Sequence, residues 1–141
     1  MAQSKEVFKD CKFVVAKKKM KFREVILKSG AKIILGKDAK SNEELVNKFK
    51  GKENTIFHTS KPGSPFGVIE KEDPTAEEIH AGAIVVARYS QDWRDNKKDV
   101  KIDVFKGKSI YKLKDMPKGT FGVSHKLTII IKKEDILKFE E

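Results

Sequence analysis

Phe22-Arg23-Glu24-Val25-Ile26-Leu27, Lys28-Ser29-Gly30 and Ala31-Lys32-Ile33-Ile34-Leu35 form the stretch whose reading decides the fold. Two runs rich in β-branched and apolar residues stand either side of a three-residue break. Its glycine supplies the positive φ that a tight turn needs, so the stretch reads as an antiparallel hairpin. Directly after it, Gly36-Lys37-Asp38-Ala39-Lys40 reads as a loop and Ser41-Asn42-Glu43-Glu44 as a helix start. Ser41 is placed to cap the amides, with Glu44 three residues on at capping-box spacing. Leu45, Val46 and Phe49 give this helix its apolar face, and Gly51 ends it.

Moving outward, Thr55-Ile56-Phe57-His58 and Phe66-Gly67-Val68-Ile69 are short strands separated by a Gly/Pro-rich loop, Thr59 to Pro65. A second helix opens after Pro74. Thr75 and Glu78 again have capping-box spacing, Ile79, Ala83, Val86 and Ala87 recur at helical intervals, and the helix is predicted to run to about Ser90 or Trp93. The last third reads as strands over 100–105, 109–113 and 127–131, with turns at Lys106-Gly107 and Met116-Pro117-Lys118-Gly119. Upstream, Phe13-Val14-Val15 fits either a strand or one turn of helix. The expectation is a single α+β domain, a mostly antiparallel sheet with two main helices. Residues 1–20 form a basic lead-in and residues 21–141 the folded unit.

The chain has 141 residues, a net charge of +10 and one cysteine, Cys11. No internal disulfide can form, no paired-cysteine zinc spacing exists, and no apolar run is long enough to span a membrane. A reducing, cytoplasmic setting is expected. The charge is segregated: residues 1–54 carry 15 basic and 7 acidic side chains, residues 55–100 carry 6 and 8, and residues 101–141 carry 10 and 6. A basic chain with its charge gathered in segments fits a polyanionic partner, although a high lysine content also serves solubility.

Catalytic patterns are poorly supported. His58, His80 and His125 lie far apart, without the spacing of a metal site. Ser64 in Pro62-Gly63-Ser64-Pro65 is not a nucleophile elbow, and no phosphate-binding Gly-rich loop ending in Lys-Ser or Lys-Thr occurs. The reading is a binding module, not an enzyme, with neither cofactor nor metal. Two loops have phosphate-binding chemistry. Gly36-Lys37-Asp38 leads into a helix N-terminus, where amides and dipole favour an anion. Lys61-Pro62-Gly63-Ser64 offers a cation, amides and a hydroxyl in one turn.

In order along the chain, these segments resemble a known family. Gly36 to Glu43, with the hairpin before it, is similar to the opening of the NFACT-R domain. Phe57-His58-Thr59 followed by Pro62-Gly63-Ser64 is similar to that domain's His…Pro-Gly-Ser signature. Ala87-Arg88-Tyr89-Ser90-Gln91-Asp92-Trp93 resembles its helix end, and Met116-Pro117-Lys118-Gly119-Thr120-Phe121 its late turn. The resemblance spans roughly residues 20–138. It implies binding of RNA, ribosomal or transfer RNA, and a link to the large ribosomal subunit and to quality control of stalled translation. The N-terminal domain, helix-hairpin-helix repeats and coiled coil of the long family members have no counterpart in this sequence. Three positions depart from the family pattern. Lys37 stands where Arg is usual, which keeps the charge and loses the bidentate fork. The step from His58 to Pro62 is one residue shorter than in many members. Pro65-Phe66 replaces a second histidine.

The candidate contacts are therefore Lys37, Lys40, Lys61, Gly63 and Ser64 at phosphates, with His58 hydrogen-bonding nearby. Trp93 and Arg94 form a stacking candidate, and Lys17, Lys18 and Lys19 add long-range attraction. Competing readings are an adaptor docking on an acidic ribosomal or factor surface, a DNA binder, and a nuclease using His58.

Overall fold

In a computed structural model, residues 5–7, 13–16, 22–60, 64–117 and 121–140 are described, the first two segments and residue 140 by backbone alone. Two short strands, β1 (Lys5–Val7) and β2 (Phe13–Ala16), lead into the hairpin of β3 (Arg23–Leu27) and β4 (Lys32–Leu35). The stretch at Phe13, open between strand and helix in the sequence, is strand. It pairs antiparallel with β3, Val14 opposite Ile26. The β3–β4 turn closes as expected, with Gly30 at φ +96° and its amide donating to the Leu27 carbonyl at 2.9 Å.

Helix α1 (Ala39–Phe49) follows, then β5 (Thr55–Thr59), β6 (Gly67–Ile69), α2 (Ala76–Arg88) and α3 (Gln91–Asn96). The chain finishes with β7 (Val100–Lys106), a two-stranded ribbon of β8 (Ile110–Tyr111) and β9 (Gly122–Val123), then β10 (Leu127–Ile131) and α4 (Lys133–Glu140). Eight strands form one sheet in the order β1-β2-β3-β4-β6-β5-β7-β10, every neighbouring pair antiparallel. The α+β architecture is as the sequence predicted.

Over the central strands β4, β6 and β5, both faces of the sheet are covered. The period-two alternation of a strand therefore sends Ile33 and Leu35 one way and Ile34 the other, all buried. One face carries α2, α3 and α4 over Val25, Leu27, Ile33, Leu35, Phe57, Ile69, Ile102 and Ile131. The opposite face carries α1 and the ribbon over Ile34, Ile56, Val68 and Phe105. Leu45, Val46 and Phe49 are the apolar stripe that fastens α1 there, and burying each stabilises the fold by about 1.5–3 kcal/mol.

The helices differ from the sequence reading in three ways. Helix α1 starts one turn earlier, because Asp38 caps it and Ser41 completes the capping box from the third helical position. The second helix stops at Arg88. Ser90 Oγ donates to the Ala87 carbonyl at 2.7 Å and accepts from the Trp93 amide at 3.1 Å, which ends one helix and caps the next. Helix α4, absent from the sequence reading, buries Ile136 and Phe139 against α2. Among the described residues, no helix is long and apolar enough to cross a membrane.

Candidate functional site

The hairpin register places Arg23 opposite Leu35, and Leu35 in turn opposite Gly67. At this end of the sheet β4 and β5 finish while β3 and β6 begin. The N-terminus of α1 lies on one side of it and the α2–α3 junction on the other. Between them sits a cavity of about 750 Å³. Its wall includes Gly36, Lys37, Asp38 and Asn42 from the first loop, His58, Ser64 and Phe66 from the second, Tyr89 and Arg94 from the helix junction, and Phe121 from the late turn. Four segments spread over some ninety residues of sequence meet here.

Close approach of the loops requires glycine at position 36. A Cβ there would run into the Asn42 side-chain oxygen and press on the Asn42 Cα at 3.0 Å. In its absence the Gly36 amide donates to the Phe66 carbonyl at 3.0 Å, and Asn42 Oδ1 accepts from the Phe66 amide at 3.1 Å. Asn42 thereby ties α1 to the start of β6. At the helix start, Ser41 Oγ accepts from the Lys37 and Asp38 amides at 2.7 and 3.0 Å, and the Ser41 amide donates to Asp38 Oδ1 at 2.8 Å. Hydrogen bonds from the Ser41 amide and then its hydroxyl hold the Asp38 carboxyl below its usual range. The anion expected at this helix N-terminus is thus supplied in part by the chain itself.

His58 is half-buried, with its ring stacked on Phe66 at 4.2 Å and 18°. Its Nε2 lies 3.2 Å from the Ser64 carbonyl, an acceptor, so this nitrogen carries the proton and donates. Burial pushes the imidazole below its ordinary pKa, against the opposing pull of the Ser64 carbonyl and of Asp103 across the strand pair. Asp103, also buried, accepts from Ser60 Oγ at 2.9 Å, Thr128 Oγ1 at 2.7 Å and Lys126 Nζ at 3.1 Å. Burial pulls its carboxyl up. The three donors together outweigh that pull and hold it below the usual range. Beside them, Ser64 is only 9% exposed and its hydroxyl has no hydrogen-bond partner among the described residues. A buried unsatisfied hydroxyl costs about 1–3 kcal/mol, so its place in a cavity wall is informative.

Of the cations, Arg23, Lys37, Arg94 and Lys126 line the cavity. Arg23 is laid over the Tyr89 ring at 4.0 Å, which fixes its fork, and Lys126 is already met by Asp103. Lys40 is exposed on the first turn of α1, outside the cavity wall. Lys17, Lys18, Lys19, Lys61 and Gly63 lie outside the described residues. One expectation is corrected. Trp93 is fully buried, because the restart of the helix at Ser90 turns it inward onto the core, where no base can stack on it. Its neighbour Arg94 is exposed and does reach the cavity. Sequence reasoning passed over Arg23, Asn42, Tyr89 and Phe121 as site residues. Asn42 is local to the first loop, whereas only the tertiary fold brings Arg23, Tyr89 and Phe121 to it.

The family model described as NFACT protein RNA binding domain matches residues 21–125. The protein named "Archaeal Rqc2 homolog aRqcH", from Methanocaldococcus jannaschii, is 36% identical over 64 residues, which cover 42% of this chain and 9% of that protein. Among solved structures, the C-terminal part of the fibronectin/fibrinogen-binding protein from Streptococcus suis superposes with a TM-score of 0.73 at 24% identity. The match covers 86% of this chain and 49% of the streptococcal one, and shows a shared fold.

Proposed function

We propose that this chain, which belongs to the family of NFACT protein RNA-binding domains, binds RNA at the cavity on the end of its sheet. The observation that carries the reading is the convergence on one cavity of four separate segments, with Arg23, Lys37 and Arg94 as cations in its wall. Phosphates supply most of the affinity for such a surface, and fixed arginine forks suit them. Residues 21–141 are the binding unit. The basic residues 1–20, Lys17 to Lys19 among them, add long-range attraction, as do Lys40 and Lys61.

Likeness to the archaeal protein named as an Rqc2 homologue supports a place in ribosome-associated quality control, with ribosomal or transfer RNA as partner in the cytoplasm. A binding role is favoured over catalysis by the disposition of His58 and Ser64. The imidazole proton is spent on a main-chain carbonyl, and the Ser64 hydroxyl has no hydrogen bond to a base among the described residues. The test is titration of labelled structured RNA against duplex DNA and heparin at physiological salt. RNA should win against both, and Lys37→Glu with Arg94→Glu should weaken it by roughly tenfold or more. Binding of RNA no tighter than heparin would favour an adaptor that docks on an acidic protein surface. Cleavage of the RNA, lost in His58→Ala, would replace binding with nuclease action.

A further inference from the structure

Resting on the RNA-binding reading, we infer that the cavity takes one unpaired nucleotide, its base inside and its phosphate at the cationic rim. Three observations select this ligand from among polyanions. The first is size. About 750 Å³ is the scale of a small-molecule pocket, whereas paired bases stay stacked inside a duplex and present only backbone to such a hole.

The second is the division of polarity. The cations Arg23, Lys37 and Arg94 share the wall with Ser64, the half-buried Phe121 and the buried Phe66, and with two carboxylates already engaged within the chain, Asp103 by Lys126 and Asp38 at the cap of α1. A site for phosphate alone has no use for aromatic walls. A nucleotide needs both, with an anion at one end and a flat, neutral, hydrogen-bonding ring at the other. The Phe66 ring already stacks on His58 and meets Phe121 edge-on at 5.7 Å, so the wall is rigid before any ligand arrives.

The third is Ser64. The residue is nine-tenths buried and lines the cavity, and its buried hydroxyl has no partner among the described residues. A hydroxyl both donates and accepts, so it can meet the edge of a base or a ribose hydroxyl. His58 holds the Ser64 carbonyl at 3.2 Å, which keeps this residue in place and leaves the hydroxyl for the ligand.

The experiment uses the full chain, a short labelled single-stranded RNA and the same strand annealed to its complement. The single strand should bind about tenfold tighter or more, because the duplex must first give up a pair. Ser64→Ala should weaken the single strand about threefold to tenfold, with the thermal midpoint unchanged or raised, since the variant removes an unsatisfied group. In the NMR spectrum, a nucleoside 5′-monophosphate should shift the amides of Gly36, Asn42 and Phe66. Inorganic phosphate producing the same shifts would reduce the cavity to an anion site and overturn the inference. Equal affinity for both RNA forms, with a steep salt response, would overturn it too and leave the RNA-binding reading standing. No binding of either form at low salt would remove that reading and the inference together.

Discussion

Glu78 shows how much one side chain fastens in this fold. Its carboxylate accepts from Ser29 Oγ at 2.5 Å, the Thr75 amide at 2.8 Å and Lys71 Nζ at 2.9 Å, joining the β3–β4 turn to the cap of α2. The Ser29 hydroxyl first, then the Thr75 amide and Lys71, bring its pKa down to about 2 from 4.5. A carboxyl depressed on folding stabilises the fold fully above pH 4.5 and loses that contribution as pH falls towards 2. Glu78→Gln should therefore be less stable at pH 7 by about 1–3 kcal/mol and show a shallower acid limb, read by urea unfolding at pH 7 and pH 3. Parallel acid limbs in the two proteins would contradict this. His58 has the opposite charge type with the same sense. Its imidazole is depressed by burial, so stability is lost as pH falls below the ordinary 6.5. Nitrogen NMR should find the ring mostly neutral at pH 6.5, with the proton on Nε2. A midpoint above 6.5 would mean that the Asp103 charge outweighs burial.

At the scale of elements, the junction of α1 with β6 depends on the missing side chain at Gly36. Gly36→Ala forces Asn42 off the Phe66 amide, and overpacking of this kind costs about 1–3 kcal/mol. The urea midpoint should fall and RNA affinity with it. Loss of stability with affinity intact would place the RNA elsewhere. Asp38→Ala separates the two properties in another way. It removes the cap of α1 and, with it, a carboxylate from the cavity wall. The melting temperature should drop while RNA binds more tightly, and weaker binding would show that the cap shapes the site more than its charge opposes the ligand. The elements themselves were largely legible, since the apolar runs at Val25–Leu27 and Ile33–Leu35 about the Gly30 turn and the box at Thr75 and Glu78 are local signals. Where two local signals competed, the reading slipped. Asp38 and Ser41 both suit a cap, and Ser90 hides a helix break inside a continuous helical pattern. Helix α4 went unseen because Ile136, Leu137 and Phe139 are three apolar residues among charges, too few to show a helical period. The site was legible as loops but not as a place. That Arg23 and Tyr89 stand beside Gly36 follows from a strand order that no local pattern encodes.

Across the whole molecule, the charge that stands out in composition does not map simply onto the cavity. Residues 55–100 carry a net negative charge and still supply Arg94, while most of the described lysines of the other segments lie elsewhere. Net charge and local contact therefore make different predictions about salt. If the +10 charge acts only as a diffuse field, removing any one lysine changes affinity slightly and leaves the salt slope nearly constant. If the cavity rim holds the phosphate of the bound nucleotide and those on either side of it, each phosphate met by its own cation sets about −0.7 of the slope of log affinity against log salt for a single strand. Arg23, Lys37 and Arg94 then give a slope of about −2, with Lys126 contributing less because Asp103 already meets it. Lys37→Gln should reduce the slope by about 0.7 and the affinity at 150 mM salt several-fold. Lys40→Gln, three residues on and outside the wall, removes the same formal charge and should leave the slope close to that of the parent. Measuring both variants between 50 and 300 mM salt decides between field and site. Equal changes in the two would return the binding to charge alone and take the cavity out of the account.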